Sequence, residues 1–124
     1  MATVHSFRDL IVWQCSIELA VHIYGFTKAF PKDELFGLTS QLRRASVSIS
    51  SNIAEGHSRG SKGEYIQFLC IARGSNEEVR SQLVLAGRLK LGDPTLIPEC
   101  EVAANQVSRM LNALITSLRS PSNH

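Results

Sequence analysis

Apolar side chains recur at spacings of three and four along nearly the whole chain, the period of a helix with a buried face. From Asp9 to about Lys28 two such stripes run side by side. Leu10, Trp13, Ile17, Val21 and Tyr24 form one, and Val12, Cys15, Leu19, Ile23 and Phe26 cover much of the opposite side. A helix apolar on both sides needs two partners. The first helix, 9–28, is therefore expected to face its own bundle and also a neighbouring subunit, with Val12, Leu19 and Ile23 at the subunit interface. The competing reading is a helix buried centrally in one chain.

Phe30-Pro31 stops this helix, and "KDEL" opens a second, 33–57, with acids in its first turn where the helix dipole favours them. Leu35, Leu38, Leu42, Ala45, Ile49, Ile53 and Gly56 keep one phase along it. That phase runs unbroken through "SVSIS", so Ser46, Ser48, Ser50 and Ser51 belong to a helix and not to a strand of period two. Their small size lets another helix approach closely. Glycines 56 to 60 end the helix, and Ser61 with Glu64 matches a capping box at the start of the third, 62–91. Gly92-Asp93-Pro94 breaks the chain again before a fourth helix, 98–119, and the polar tail "SPSNH". One domain of four helices with short connections implies an all-α, antiparallel up-down-up-down four-helix bundle.

Composition narrows the function. A chain of 124 residues with 44% hydrophobic content is one domain with a core, and a net charge of +2 is far from that of a strongly basic nucleic-acid binder. Any such role rests on local clustering or on copies summed in an oligomer. Cys15, Cys70 and Cys100 lie far apart, without a CxxC pair and in odd number, which fits a reducing cytoplasm better than a disulfide scaffold or a zinc site. Gln14, Glu18 and His22 interrupt the first apolar stretch, so neither a signal peptide nor a membrane span is read there.

The segment "LTSQLRRASVSISSNIAEGHSRGSKGEYIQFLCIARGSNEEVRSQL", followed by "SRMLNALITSLR", resembles the bacterial four-helix-bundle family named for proteins encoded in intervening sequences of large-subunit ribosomal RNA genes. The likeness runs from "FRDLIVWQCS" to Arg119, and "SNIAEG" and "IARGS" are its most specific parts. That family is similar in fold to the accessory protein of diversity-generating retroelements, a pentameric barrel that binds nucleic acid and a reverse transcriptase. The resemblance implies a homo-oligomeric ring, a homopentamer. Ser50 stands where the family pattern has proline, which implies a less kinked second helix, and "DPTLIP" is richer in proline than usual.

Enzymatic motifs are absent. "GHSRGSKGE" lacks both the spacing and the preceding strand of a phosphate-binding P-loop. His22 follows Glu18 by four positions and His57 follows Glu55 by two, so the Glu-x-x-His pairs of a di-iron bundle are missing. Spacing alone does not decide a Ser-His-Asp or Cys-His triad, whose members meet only in three dimensions, but His5 and His124 are terminal and no nucleophile is set off. The expectation is a protein without catalytic residues, metal or cofactor.

Two polar groupings remain. If helices 2 and 3 form a hairpin about residues 57 to 61, Arg44 falls level with Glu78 and Ser48 with Ser75, while Asn52 and Glu55 approach Phe68 and Tyr65. This cluster of Arg44, Ser48, Asn52, Glu55, Ser75 and Glu78 either fixes the helix register or lines a pocket for a small ligand. The other cations of the hairpin, Arg43, Arg59, Lys62, Arg73, Arg80, Arg88 and Lys90, form a candidate band, with Arg43, Arg59, Lys62, Arg73 and Arg80 its candidate phosphate ligands. A ring would repeat that band and make binding strongly salt-dependent. Arg59 and Lys62 flank the start of helix 3, where backbone amides favour an anion. Interleaved Glu64, Glu77 and Glu78 make a merely solvated surface the plainer alternative. Two functions follow: an oligomeric accessory protein that binds RNA or DNA phosphates, or a structural adaptor ring that docks a protein partner.

Overall fold

The computed structural model describes residues 5–121, so the last three residues of the tail lie outside it. Among the described residues there are four α-helices and no strand: α1 (Ile11–Thr27), α2 (Ser40–His57), α3 (Lys62–Arg88) and α4 (Ile97–Arg119). Each helix begins or ends at the break its sequence announces. Phe30-Pro31 follows α1, and Gly60, with φ of 82°, makes the turn before α3. Gly92, with φ of 69°, lies between α3 and α4. The Ser61 hydroxyl accepts the Glu64 amide at 3.2 Å. Its own proton goes to the Glu64 carboxylate at 3.1 Å, so the glutamate reaches back to the serine side chain.

The second helix departs from expectation at its start. A 3₁₀ turn, Lys32–Glu34, and a wide π-type turn, Leu35–Thr39, precede the regular helix. Gly37 leaves helical geometry at φ −107° and ψ −118°, and the Glu34 carboxylate caps the Leu38 amide at 3.0 Å. Glycine's freedom and that local cap compete with the helix ladder here, which delays regular α-helix to Ser40. From there α2 runs straight through the serines. Ser46 and Ser50 return their hydroxyls to the carbonyls of Arg43 and Val47.

α2 packs most extensively on α3, α1 lies against α2 and α4, and α3 lies against α4. Arg44 meets Glu78, Ser48 meets Ser75, and Gly56 meets Phe68. Positions that rise along α2 therefore fall along α3, and the two helices run in opposite directions. Leu19, Ile23, Leu42, Ile49, Ile53, Leu69, Val79, Leu83, Val107 and Leu111 are fully buried between the helices. Each such side chain contributes roughly 1.5–3 kcal/mol on leaving water.

The two stripes of α1 exchange the roles expected of them. Val12, Leu19 and Ile23 are 5%, 0% and 0% exposed and form the chain's own core, so they are not available to a second subunit. The outward positions are Ile11, Val21 and Tyr24, at 63%, 61% and 44% exposure. Both stripes are apolar enough to be buried. Position around the α1 axis relative to α2 and α4 decides between them, and the second stripe points inward.

Candidate nucleic-acid interface

The register device lies where the hairpin expectation puts it, but nearer the surface. Arg44 Nη2 donates to Glu78 Oε2 at 2.7 Å and to Gln41 Oε1 at 2.9 Å, with both partners of the ion pair about half exposed. A pair so exposed contributes about 0–1 kcal/mol. One turn on, the Ser48 and Ser75 hydroxyls share a hydrogen bond of 2.9 Å, and Asn52 Nδ2 donates to the Ser48 carbonyl at 2.8 Å and hydroxyl at 3.0 Å. Glu55 stands apart from this chain of contacts. It faces outward and pairs with Arg59 at 3.8 Å on its own side of the turn. Five members are thus engaged across or along the hairpin in two groups, Arg44 with Glu78 and Ser48 with Ser75 and Asn52.

The basic residues do not form one band. Arg43 sits on the α1 side of α2, where its Nε donates to Thr27 Oγ1 at 2.9 Å and its guanidinium stacks on Tyr24 at 4.6 Å. Arg73 turns the other way, towards α4, and donates to Asn112 Oδ1 at 3.1 Å. Arg80 is held at 2.6 Å by Glu77 in a cleft that Glu101 also lines. With two carboxylates beside it, Arg80 is a poor phosphate ligand. Arg59 lies over Phe68 at 5.0 Å at the α2–α3 turn. Lys62, three positions on, lines a cleft with His57, Ser61 and Tyr65 and makes no ion pair with a described residue. Burial pushes the Tyr65 phenol above its usual range, which keeps it neutral beside these cations.

The band fails because Arg43 is engaged by α1, which packs on α2, while Arg73 is engaged by α4, which packs on α3. Periodicity within a single helix does not reveal those pairings. Arg43 and Arg73 therefore serve different helix pairs, α1 with α2 and α3 with α4.

One cationic place escaped the sequence reading. At the corner between α1 and α2, Lys28, Lys32 and Arg43 line a cleft of about 240 Å³ together with Thr27, Leu35 and Thr39. The signal was present in "TKAFPK", two lysines straddling a helix-stopping proline, but only the three-dimensional corner brings Arg43 to them. Among the described residues no three His, Cys, Asp or Glu side chains gather as a metal site. No helix there is long and apolar enough to cross a membrane.

A bundle of four helices with its cations at corners and turns is thus the class of protein defined. Residues 8–113 match the family of 23S rRNA-intervening sequence proteins. The chain belongs to that family. It is similar to a protein of unknown function from the S23 ribosomal protein family of Bacteroides thetaiotaomicron, with 24% identity and a TM-score of 0.78 over 85% of this chain and 98% of that one. That likeness concerns the fold. No curated protein matches the chain.

Proposed function

We propose that the chain is a small, non-enzymatic accessory protein that binds RNA or DNA through phosphate contacts, its helices arranged up-down-up-down and its subunits assembled as a homopentameric ring in a reducing cytoplasm. The observation that carries this reading is the state of Arg73, whose guanidinium donates to the Asn112 amide oxygen at 3.1 Å and to Cys70 Sγ at 3.7 Å and makes no ion pair with a described residue. Lys62 is likewise without an ion pair to a described residue, and Arg59 has only a long contact of 3.8 Å. Five copies would multiply those cations, and phosphate neutralisation would then release counterions cooperatively. The family's description, which names an intervening sequence of 23S rRNA, agrees with an RNA-related role.

The test is an anisotropy titration against single-stranded RNA, structured RNA and duplex DNA across a salt series. Binding should weaken steeply with salt, and reversing charge at Arg59, Lys62 and Arg73 should abolish it. A wild-type protein that binds none of these at low salt would remove the reading.

A second reading, an adaptor that docks a protein, draws support from apolar side chains that the chain itself leaves uncovered. Phe36 is 92% exposed, and Ile11 and Val21 face outward from α1. Charge reversal would leave such docking largely untouched.

A further inference from the structure

We propose that the corner between α1 and α2 is a binding site for a phosphate group, carried by a small phosphate ester or by a nucleic-acid strand. Three cations, Lys28, Lys32 and Arg43, line one cleft that no carboxylate lines. Lys28 and Lys32 make no ion pair with a described residue. Of the two acids next in sequence, Asp33 is exposed and outside the cleft lining, while Glu34 is engaged in capping the Leu38 amide. Like charges brought together without a counter-charge repel. An anion seated among them relieves that repulsion.

Arg43 is held ready for such a ligand. Thr27 Oγ1 gives its proton to the Ile23 carbonyl at 2.8 Å, so towards Arg43 it acts only as an acceptor, and it fixes the Nε–H at 2.9 Å. Tyr24 supports the plane of the guanidinium. The terminal nitrogens are left for a tetrahedral oxyanion, which guanidinium binds through paired hydrogen bonds. The second observation is Thr39. It is 5% exposed, lines the same cleft, and its hydroxyl has no hydrogen-bond partner among the described residues. Buried hydroxyls are nearly always satisfied. One left over at the wall of a cationic cleft supplies the neutral donor that phosphate sites commonly combine with their charges. Both ends of the wide turn that precedes the regular helix, Leu35 and Thr39, line the cleft. The cleft's 240 Å³ compares with about 30 Å³ for a liquid water.

The experiment is an NMR titration of the full chain with sodium phosphate, with matched sodium chloride as the control, read at the Thr39 amide and the Arg43 Nε–H. Saturable shifts with phosphate alone are expected. They should weaken at least about tenfold in Lys28→Gln/Lys32→Gln, whose two positions are exposed and do not test folding, and about threefold in Thr39→Val. Glycerol phosphate and an oligonucleotide without terminal phosphate then separate the sources. Displacement by the oligonucleotide assigns the site to a strand, and displacement by glycerol phosphate alone assigns it to small esters. Absence of saturable shifts, or shifts unchanged in the double variant, overturns the proposal. Phosphate binding without any strand binding keeps this site while removing the nucleic-acid reading. Strand binding that leaves Thr39 and Arg43 unmoved does the reverse.

Discussion

The side-chain amide of Asn76 crosses from α3 to donate to the Ala104 carbonyl of α4 at 3.0 Å, while its own oxygen, fully buried, has no partner among the described residues. Such a half-satisfied group costs about 1–3 kcal/mol in desolvation against a net gain of about 1 kcal/mol for the bond it makes. Asn76→Leu, which keeps the branched shape but is bulkier, sets the removal of that cost against overpacking and is therefore expected to change stability by no more than about 1 kcal/mol. Urea denaturation measures it, and a loss of more than about 1 kcal/mol would show the amide to be a net stabiliser.

Two glycines of the most family-specific segments should respond in opposite directions. A Cβ on Gly56 would come 2.6 Å from Phe68 Cβ and 3.3 Å from the Tyr65 carbonyl, so Gly56→Ala should cost about 1–3 kcal/mol through overpacking. A Cβ on Gly74 meets nothing within 4 Å, and this helical glycine has no positive φ. Gly74→Ala should stabilise the isolated subunit by about 0.5–1 kcal/mol. Thermal melts of the two variants check the pair.

The exchanged faces of α1 make a further test. Leu19→Glu places a charge in the chain's own core and should unfold it, whereas Val21→Glu, on the exposed side, should leave the helical content intact. Circular dichroism separates the two. If α1 carries the subunit contact, light scattering will find the mass lowered by Val21→Glu and not by Arg88→Glu, a change at an exposed position on another helix.

Cys100, 1% exposed, has its thiol pushed up to about 11 from 9.0, first by burial and then by Glu99 and Glu101. Its thiolate fraction at pH 8 is then about a hundredfold below that of an ordinary thiol, so maleimide should modify Cys15 and Cys70 first. Because the folded value is raised, the stability it contributes is complete below pH 9.0 and is lost between there and about 11. Cys100→Ala should flatten that alkaline decline.

How far the sequence carries depends on which constraint is local. The stops at Pro31, Gly60 and Gly92, the helical phase through "SVSIS", and the levels of Arg44 with Glu78 and Ser48 with Ser75 were legible, because chain direction and a tight turn determine them. The face of α1 was not, since its two stripes are nearly equal in apolar character. Nor was the delayed start of α2, where Gly37 and the Glu34 cap override a good amphipathic pattern. Arg73 meeting Asn112 and Arg80 sharing a cleft with Glu101 depend on how α4 seats against α3, for which no short turn fixes the register. The corner of Lys28, Lys32, Thr39 and Arg43 combines both difficulties, because it arises from an irregular turn and from the packing of α1.

The short turn between α2 and α3 also bears on the order in which the molecule assembles. Across that hairpin the sequence separations are modest, 34 for Arg44 to Glu78 and 27 for Ser48 to Ser75. Beside the turn Gly56 meets Tyr65 nine positions away, against 16 for Thr27 and Arg43 at the α1–α2 corner and 78 for His22 and Cys100 between α1 and α4. Closing the smaller loop sacrifices less chain entropy, and contacts near in sequence form sooner. The hairpin is thus the natural first-formed unit, on which the outer helices settle, packed also against each other. During synthesis α1 would wait, with Leu19 and Ile23 uncovered, until its platform has emerged.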